Sequence, residues 1–268
     1  MRLILLSMLL ISCSVFATEA AVMKVMTLNV AHARAEGRSQ LLQSVDQAKQ
    51  HLWRIANVLK RERPHVAAFQ EIDRNSFWNG RFDHTKFVAD NAGYPHYFSG
   101  AHIKGDNLEY GTALVAQISL EEPTSIRFNR PFARPRKGFV LSTVRWPGTD
   151  DVDVDVVSVH LDFLTRGQRL KEVNKLISAL KHRDNPRIIM GDLNTDYAQD
   201  GHLIPFLEQQ LALSAWEPLR NEVTFLKFQK RLDWVLVSNE IEIVSHEVLS
   251  DPLSDHRAVV ARLRLIEG

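Results

Sequence analysis

Arg187-Ile188-Ile189-Met190-Gly191-Asp192-Leu193-Asn194 sets the organisation of this chain. The apolar Ile188-Ile189-Met190 reads as a short buried strand, and a glycine, a carboxylate and an amide follow it directly. Strand ends and the loops after them are where sites are built, because a rigid sheet aims the side chains that leave it. If the backbone stays extended through Asn194, Asp192 and Asn194 point the same way. An acceptor and an amide side by side can hold a water, a metal ion or a phosphate oxygen. The competing reading is an Asx-turn, in which the Asp192 side chain bonds nearby backbone.

The same arrangement recurs along the chain. Asn29 ends the strand candidate Val22 to Val30, and Gln70-Glu71 follows the apolar Val66-Ala67-Ala68-Phe69. A carboxylate directly after a buried strand suits a hard cation, since Mg²⁺ prefers oxygen ligands; a cap or turn residue is the alternative at both places. In Ser158-Val159-His160-Leu161-Asp162, His160 and Asp162 share a face at the strand period of two. Leu232-Asp233-Trp234-Val235-Leu236-Val237 puts one carboxylate inside an apolar strand, where an unpaired charge is costly. Asp233 therefore needs a partner, and Ser254-Asp255-His256 supplies an imidazole with a second carboxylate beside it. A carboxylate-oriented imidazole is a device for acid–base or electrostatic catalysis.

Between these segments, short apolar strands alternate with amphipathic helices. Val45, Leu52, Ile55, Ala56 and Leu59 recur at helical spacing, and that helix should stop before Pro64. Phe87 to Ala92 reads as a helix end closed at Gly93, and Leu170, Val173, Leu176, Ile177 and Leu180 form a second amphipathic helix. Thr112 to Ala116, Ile126 to Phe128 and Phe139 to Val144 are strand-like, and Pro147-Gly148 marks a hairpin turn. Asp151, Asp153 and Asp155 alternate with valines, which predicts a half-exposed strand with a solvated acidic face. Ile241 to Leu249 and His256 to Leu265 complete a β-rich C-terminal half. The pattern predicts an α/β domain of packed sheets covered by helices.

The N-terminus reads as an export signal. Arg2 precedes an apolar run from Leu3 to Ile11 that is too short to span a bilayer, for which a helix needs about 20 residues. Val15-Phe16-Ala17 is a cleavage-like site, giving a signal over residues 1–17 and a mature start at Thr18. Leu10-Ile11-Ser12-Cys13 also resembles a bacterial lipobox, giving a signal over residues 1–12 and a lipid anchor on Cys13. Either way the mature protein would be periplasmic or secreted, with no transmembrane span. Cys13 is the sole cysteine, so disulfides, thiolate metal sites and a cysteine nucleophile are excluded from the body of the protein. The formal net charge is +1 over 268 residues, which argues against nucleic-acid binding by a bulk basic field but leaves room for a local basic groove.

Taken in order, Asn29, Gln70-Glu71, His160-Leu161-Asp162, Gly191-Asp192-Leu193-Asn194, Leu232 to Val237 and Ser254-Asp255-His256 resemble the endonuclease/exonuclease/phosphatase superfamily. That superfamily includes DNase I, exonuclease III-type AP endonucleases, inositol polyphosphate phosphatases, deadenylases and neutral sphingomyelinases. The resemblance runs from about Lys24 to Leu265, and the catalytic domain is expected over residues 22–266. It implies a DNase I-like four-layer α/β sandwich, two packed mixed β-sheets flanked by helices. It further implies a Mg²⁺- or Mn²⁺-dependent hydrolase of phosphoester bonds. Glu71 would be the main metal ligand, Asn29 would help order the metal site or contact the phosphate, and Asp255 would complete the metal or water network. Asp192 would orient or deprotonate the attacking water, and Asn194 would hold a phosphoryl oxygen. His160 would contact the phosphate or assist the leaving group, and Asp233 would hold His256 against the scissile phosphate.

Around this set, Tyr110-Gly111-Thr112 is similar to the superfamily's small-residue segment, where Gly111 would allow close backbone approach. Arg130, Arg134, Arg136 and Lys137 form a basic cluster that reads either as a solvated loop or as a contact to a second phosphate or anionic headgroup. Tyr110, Asp162, Arg134 and Lys137 are thus the candidate substrate contacts. Phe77, Trp78 and Phe82 could be satellite core, stacking platforms or a wedge into lipid. The export signal, the neutral charge and the aromatic loop favour a phosphodiesterase on small molecules or lipid headgroups, and the His160-Leu161-Asp162 variant and the compact length resemble the sphingomyelinase-like branch. An exported DNA or RNA nuclease is the alternative, and an inactive scaffold that only binds phosphate ligands is the third reading.

Overall fold

A computed structural model describes residues 21–129, 135–197, 202–220 and 222–266. The signal-like segment with Cys13, and Arg130 and Arg134 of the basic cluster, lie outside the described residues. In chain order the strands are β1 (Val22–Asn29), β2 (Val66–Asp73), β3 (His96–Gly105), β4 (Leu108–Ala116), β5 (Glu121–Arg127), β6 (Gly138–Arg145), β7 (Asp153–His160), β8 (Arg187–Asp192), β9 (Leu213–Ala215), β10 (Asp233–Ser238), β11 (Ile241–Val248) and β12 (Val259–Leu265). The helices are α1 (Val45–Glu62), α2 (His84–Ala92), α3 (Arg166–Leu180) and α4 (Leu203–Leu211). They build two six-stranded sheets, ordered β11-β12-β1-β2-β4-β3 and β5-β6-β7-β8-β10-β9.

The strands alternate faces and so feed separate cores. In β1, Met23 and Val25 join Ile188 and Met190 of β8 and Val235 and Val237 of β10 in the core between the sheets. Met26 and Leu28 point the other way, onto α1 and α2. In the second sheet, Ile189, Trp234 and Leu236 face α3 and α4. Each fully buried side chain of this size contributes about 1.5–3 kcal/mol. The layers are therefore helices, sheet, sheet, helices: the expected sandwich, in which both sheets mix parallel and antiparallel neighbours.

Helix α1 starts at a capping box of Ser44 and Gln47 and stops at Glu62, with Arg63 left-handed just ahead of Pro64. No helix among the described residues is long and apolar enough to cross a membrane.

Two local expectations are corrected, and a third narrows among its readings. Asp155 is buried, not solvated: it accepts from Thr143 Oγ1 at 2.9 Å and Asn185 Nδ2 at 3.1 Å, and pairs with Arg183. Strand β12 begins at Val259, and His256 lies before it on an isolated bridge to Phe225. Phe82 packs against the α1–α2 core and the Trp78 indole donates to Asp73 at 3.2 Å, so of that aromatic trio Phe77 is the one most exposed.

Candidate active site

Parallel pairing occurs once in each sheet, between β1 and β2 and between β7 and β8. The ends of these four strands, with the start of β10, deliver Asn29, Glu71, His160, Asp192 and Asp233. The two sheets meet there through Asn29, whose Nδ2 donates to Asp192 Oδ2 at 2.9 Å while its Oδ1 accepts from the Ala31 amide at 3.0 Å. Below them Gln70 turns into the space between the sheets and donates to Ser158 Oγ at 3.1 Å.

Glu71 reaches the site because β2 bulges. The register against β4 shifts between Gln70 and Ile72, and Glu71 sits at φ 51°. A bulge re-aims one side chain without unpairing the strand. Opposite it, a Cβ on Gly111 would strike the Gly100 carbonyl oxygen, so the close approach expected at Gly111 holds. Gly191 is equally constrained: φ is 145°, and a Cβ would strike the Val159 carbonyl.

After Gly191 the chain does not stay extended. Asn194 is left-handed at φ 49°, and its amide donates to Asp192 Oδ1 at 2.9 Å. This is the Asx-turn, and it still leaves Asn194 beside Asp192 in the same cavity. The Asn194 Nδ2 donates to the Leu161 carbonyl at 3.0 Å.

Asp233 and His256 form the expected pair. Asp233 Oδ2 lies 2.8 Å from His256 Nδ1, and both residues are buried. Burial works against the imidazolium, but the Asp233 and Asp192 carboxylates outweigh it and raise His256 to about 10. The other nitrogen, Nε2, lies 3.8 Å from Asp192 Oδ2. Burial also pushes Asp192 up, to about 6, with Asp233 adding to the rise and His256 opposing it. An imidazolium and a carboxylate near its working range thus face each other across the cavity.

Glu71 is surrounded by cations. Lys137 Nζ is 3.1 Å from Oε1, and His32, Arg34 and His160 lie at 3.7, 3.8 and 4.0 Å. Burial alone would raise this carboxyl; Lys137 and then His32 hold it well below the usual range. Lys137 is buried, not part of a solvated loop, and its Nζ also lies 2.9 Å from His160 Nε2. Burial and Lys137 keep His160 neutral at ordinary pH.

The cavity holds about 450 Å³ and is lined by residues that include Asn29, Glu71, His160, Asp192, Asn194, Asp255 and His256. Other sequence candidates lie elsewhere. Tyr110 stands behind the site, edge-on to His32 with ring centroids 4.7 Å apart. Asp162 is not among the lining residues; it accepts from the Leu164 and Thr165 amides at 3.0 and 2.8 Å and shapes the turn into α3. Arg134 lies outside the described residues.

Sequence reasoning missed several participants. Arg34 lines the cavity and binds Asp255, and His32 reaches Asp73 at 3.3 Å. Both sit in the loop directly after Asn29, where Ala31, His32 and Ala33 all have positive φ. Their position after a strand end was the available signal. Phe163, Phe225, Phe228 and Lys230 line the cavity with no comparable signal in the sequence.

Two sets of side chains could hold a divalent ion. Asp192, Asp233 and His256 present ligand atoms within 4.8 Å of one another, and Asp233 Oδ1 is buried with no hydrogen-bond partner. Glu71, Asn29 and Asp255 offer oxygen alone, and one guanidinium, Arg34, reaches both carboxylates. This oxygen-rich chemistry fits a hard cation.

A two-sheet sandwich that brings carboxylates, amides and a carboxylate-held imidazole into one cavity defines a metal-dependent phosphoester hydrolase. The chain belongs to the endonuclease/exonuclease/phosphatase family, whose model matches residues 26–256. It is similar to an endonuclease/exonuclease/phosphatase from Beutenbergia cavernae, with 21% identity over 91% of this chain and 72% of that one and a TM-score of 0.72. The catalytic domain of human Nocturnin, solved with bound sulfate, is 18% identical over 91% of this chain and 95% of that one, with a TM-score of 0.70. A mannosyl-6-phosphatase from Bacteroides thetaiotaomicron is 15% identical over 91% of this chain and all of that one, with a TM-score of 0.68. At these identities the likeness establishes the fold. No curated protein matches the chain.

Proposed function

We propose that this protein is an exported, Mg²⁺-dependent phosphodiesterase acting on small or lipid-linked substrates, in the manner of the sphingomyelinase-like branch of the family. The observation that carries the reaction is the facing pair of Asp192 and Asp233-held His256, with Asn29, Asn194 and Glu71 in the same cavity. Asp192 orients the attacking water and accepts its proton, being a carboxylate raised to about 6. Its other contacts, to Asn29 Nδ2 and the Asn194 amide, fix the direction in which it accepts. The His256 imidazolium, locked through Nδ1 by Asp233, stabilises charge growing on the phosphate and leaving oxygen through Nε2. Asn194 and Lys137 supply donors for non-bridging oxygens. Glu71, Asn29 and Asp255 would hold the Mg²⁺, which when bound offsets phosphoryl charge and lowers the cost of bringing hydroxide to an anion.

The substrate reading rests on shape and lining. A cavity of about 450 Å³ suits a headgroup or small molecule, and its rim includes Phe163 and Phe228, both more than half exposed. The segment 1–17 has the make-up of a secretory signal, which supports export.

A substrate panel tests the reading. Mg²⁺-dependent turnover of bis-p-nitrophenyl phosphate or a phospholipid, abolished by chelation and restored by Mg²⁺, is the expected result. Cleavage of plasmid or RNA with neither small diester turned over would instead establish the nuclease alternative. No turnover on any of them, with phosphate ligands still bound, would leave the scaffold reading.

A further inference from the structure

A second cavity, of about 290 Å³, adjoins the active site. Phe228 and Lys230 belong to the linings of both cavities, so these two residues form the divide between them. An aromatic wall leads from the chemistry to the divide. The Phe225 ring lies against His256 with centroids 4.6 Å apart, and Phe228 stands edge-on to Phe225 at 5.5 Å. Phe228 is 63% exposed and offers its free side to whatever crosses.

The cations around the second cavity differ in one respect. Arg220 pairs with Glu217 at 2.9 Å and Glu222 at 3.7 Å. Arg231 is buried over the Trp234 ring and donates to the Glu217 and Trp216 carbonyls, with Glu222 at 3.8 Å. Lys230 is half-buried, yet its ammonium meets no carboxylate within ion-pairing distance among the described residues. A partly desolvated cation left without a counter-charge at the junction of two cavities is poised for an anionic ligand. Asp196 is the one acidic side chain in that second lining, against Arg220, Lys230 and Arg231.

We propose that the two cavities form one cleft and that Lys230 binds a second anionic group of the substrate, while Phe228 packs against the part joining it to the scissile phosphate. The substrate class is then a phosphoester with a further phosphate or carboxylate, held at two points. The inference rests on the phosphoesterase reading for which phosphate is attacked; its test is binding and does not require turnover.

The probes are adenosine 5′-phosphate and adenosine 3′,5′-bisphosphate, which differ only in the second phosphate. Calorimetric titration of the mature protein in Mg²⁺ buffer should show the bisphosphate bound tighter by about tenfold or more, the scale of one charge-assisted hydrogen bond. Lys230→Ala should bring the affinity ratio close to one, Lys230→Gln should do the same with less loss of packing, and Lys230→Arg should keep most of it. Lys60→Ala, on the remote face of α1, is the control and should leave the ratio as it was. Equal affinities in the native protein, no binding of either probe, or a ratio that survives both neutral substitutions would overturn the proposal. A Lys230-dependent ratio in a protein that hydrolyses no phosphoester would retain the cleft and sink the reaction assigned to it.

Discussion

Replacing Asp233 with Asn tests whether His256 acts as a cation. The exchange keeps the shape of the side chain and removes the charge 2.8 Å from Nδ1. It also allows the amide to present an N–H to the ring and turn the imidazole into the wrong tautomer. The rise of His256 from 6.5 to about 10 corresponds to roughly 5 kcal/mol of preference for the charged ring, at about 1.36 kcal/mol per unit. Asp233 is the largest of the groups that raise it, ahead of Asp192 and Asp255, and burial opposes all three. Losing on the order of 3 kcal/mol is therefore expected, about two units at that rate, which leaves the ring largely neutral at pH 9, where the native ring is still charged. If the imidazolium stabilises the transition state, kcat/KM should fall by about a hundredfold or more. The assay is Mg²⁺-dependent hydrolysis of bis-p-nitrophenyl phosphate, with thermal melting run alongside to confirm that the variant is folded. A folded Asp233→Asn protein with native kcat/KM would refute the role given to this pair.

Three further outcomes are expected. Glu172 accepts from the Asp162 amide and Gln168, and burial raises it to about 7. Its folded value lies above the unfolded one, so its stabilising contribution is complete below about pH 4.5 and is lost as pH rises through 7; Glu172→Gln should shrink the gap in Tm between pH 5 and pH 8 by several degrees, and an unchanged gap would count against that burial effect. Arg183→Ala leaves Asp155 buried with only its neutral donors, Thr143 and Asn185, and should cost about 2–3 kcal/mol, less than a fully buried pair because the guanidinium is partly exposed; a Tm within a degree of native would refute the pairing's importance. On the export reading, intact-mass measurement of the protein from the cells that make it should give a start at Thr18, a lipid-modified Cys13 being the alternative, and a chain retaining Met1 would contradict export by either route.

Much of the site was legible because its residues leave buried strands, where an uninterrupted apolar run makes each polar residue conspicuous. Asn29, Asp192 and Asp233 were visible in that way, and the cost of burying Asp233 pointed to His256 as its partner. What stayed hidden depends on contacts between distant segments. Lys137 stood out only as a candidate substrate contact in a basic cluster; the packing of β6 against β7 is what buries it beside Glu71 and His160. Asp155 looks solvated by alternation, because the arginine that covers it comes from the turn after α3. Asp162 and His160 share strand spacing, but β7 ends at His160 and the face is lost. Strand β3 shows no clean alternation and β9 is only three residues long, so neither announces itself; α4 spaces Leu203, Ile204, Leu207 and Leu211 at helical intervals, but Pro205 in its first turn obscures the pattern.

The near-zero net charge also takes on a sharper meaning in three dimensions. In the cavity and just behind its wall the charges are paired in an order that works against anion binding: Lys137 with Glu71, Arg34 with Asp255, and His256 with Asp233. Burial pushes Asp192 up to about 6, with the Asp233 carboxylate adding to the rise and His256 only partly opposing it. A phosphate entering such a site meets the three carboxylates of its lining, Glu71, Asp192 and Asp255, two of them with cations already committed to them, and Coulomb repulsion opposes its entry. On the proposed reading, Glu71 and Asp255 would hold a divalent ion, whose positive charge would offset theirs in place of Lys137 and Arg34. The two freed side chains are then available to phosphate oxygens, in addition to whatever the ion itself contributes. Metal and phosphate binding are therefore expected to be coupled through these two cations. Arg34→Ala and Lys137→Ala should each weaken phosphate binding in the presence of Mg²⁺ far more than in its absence.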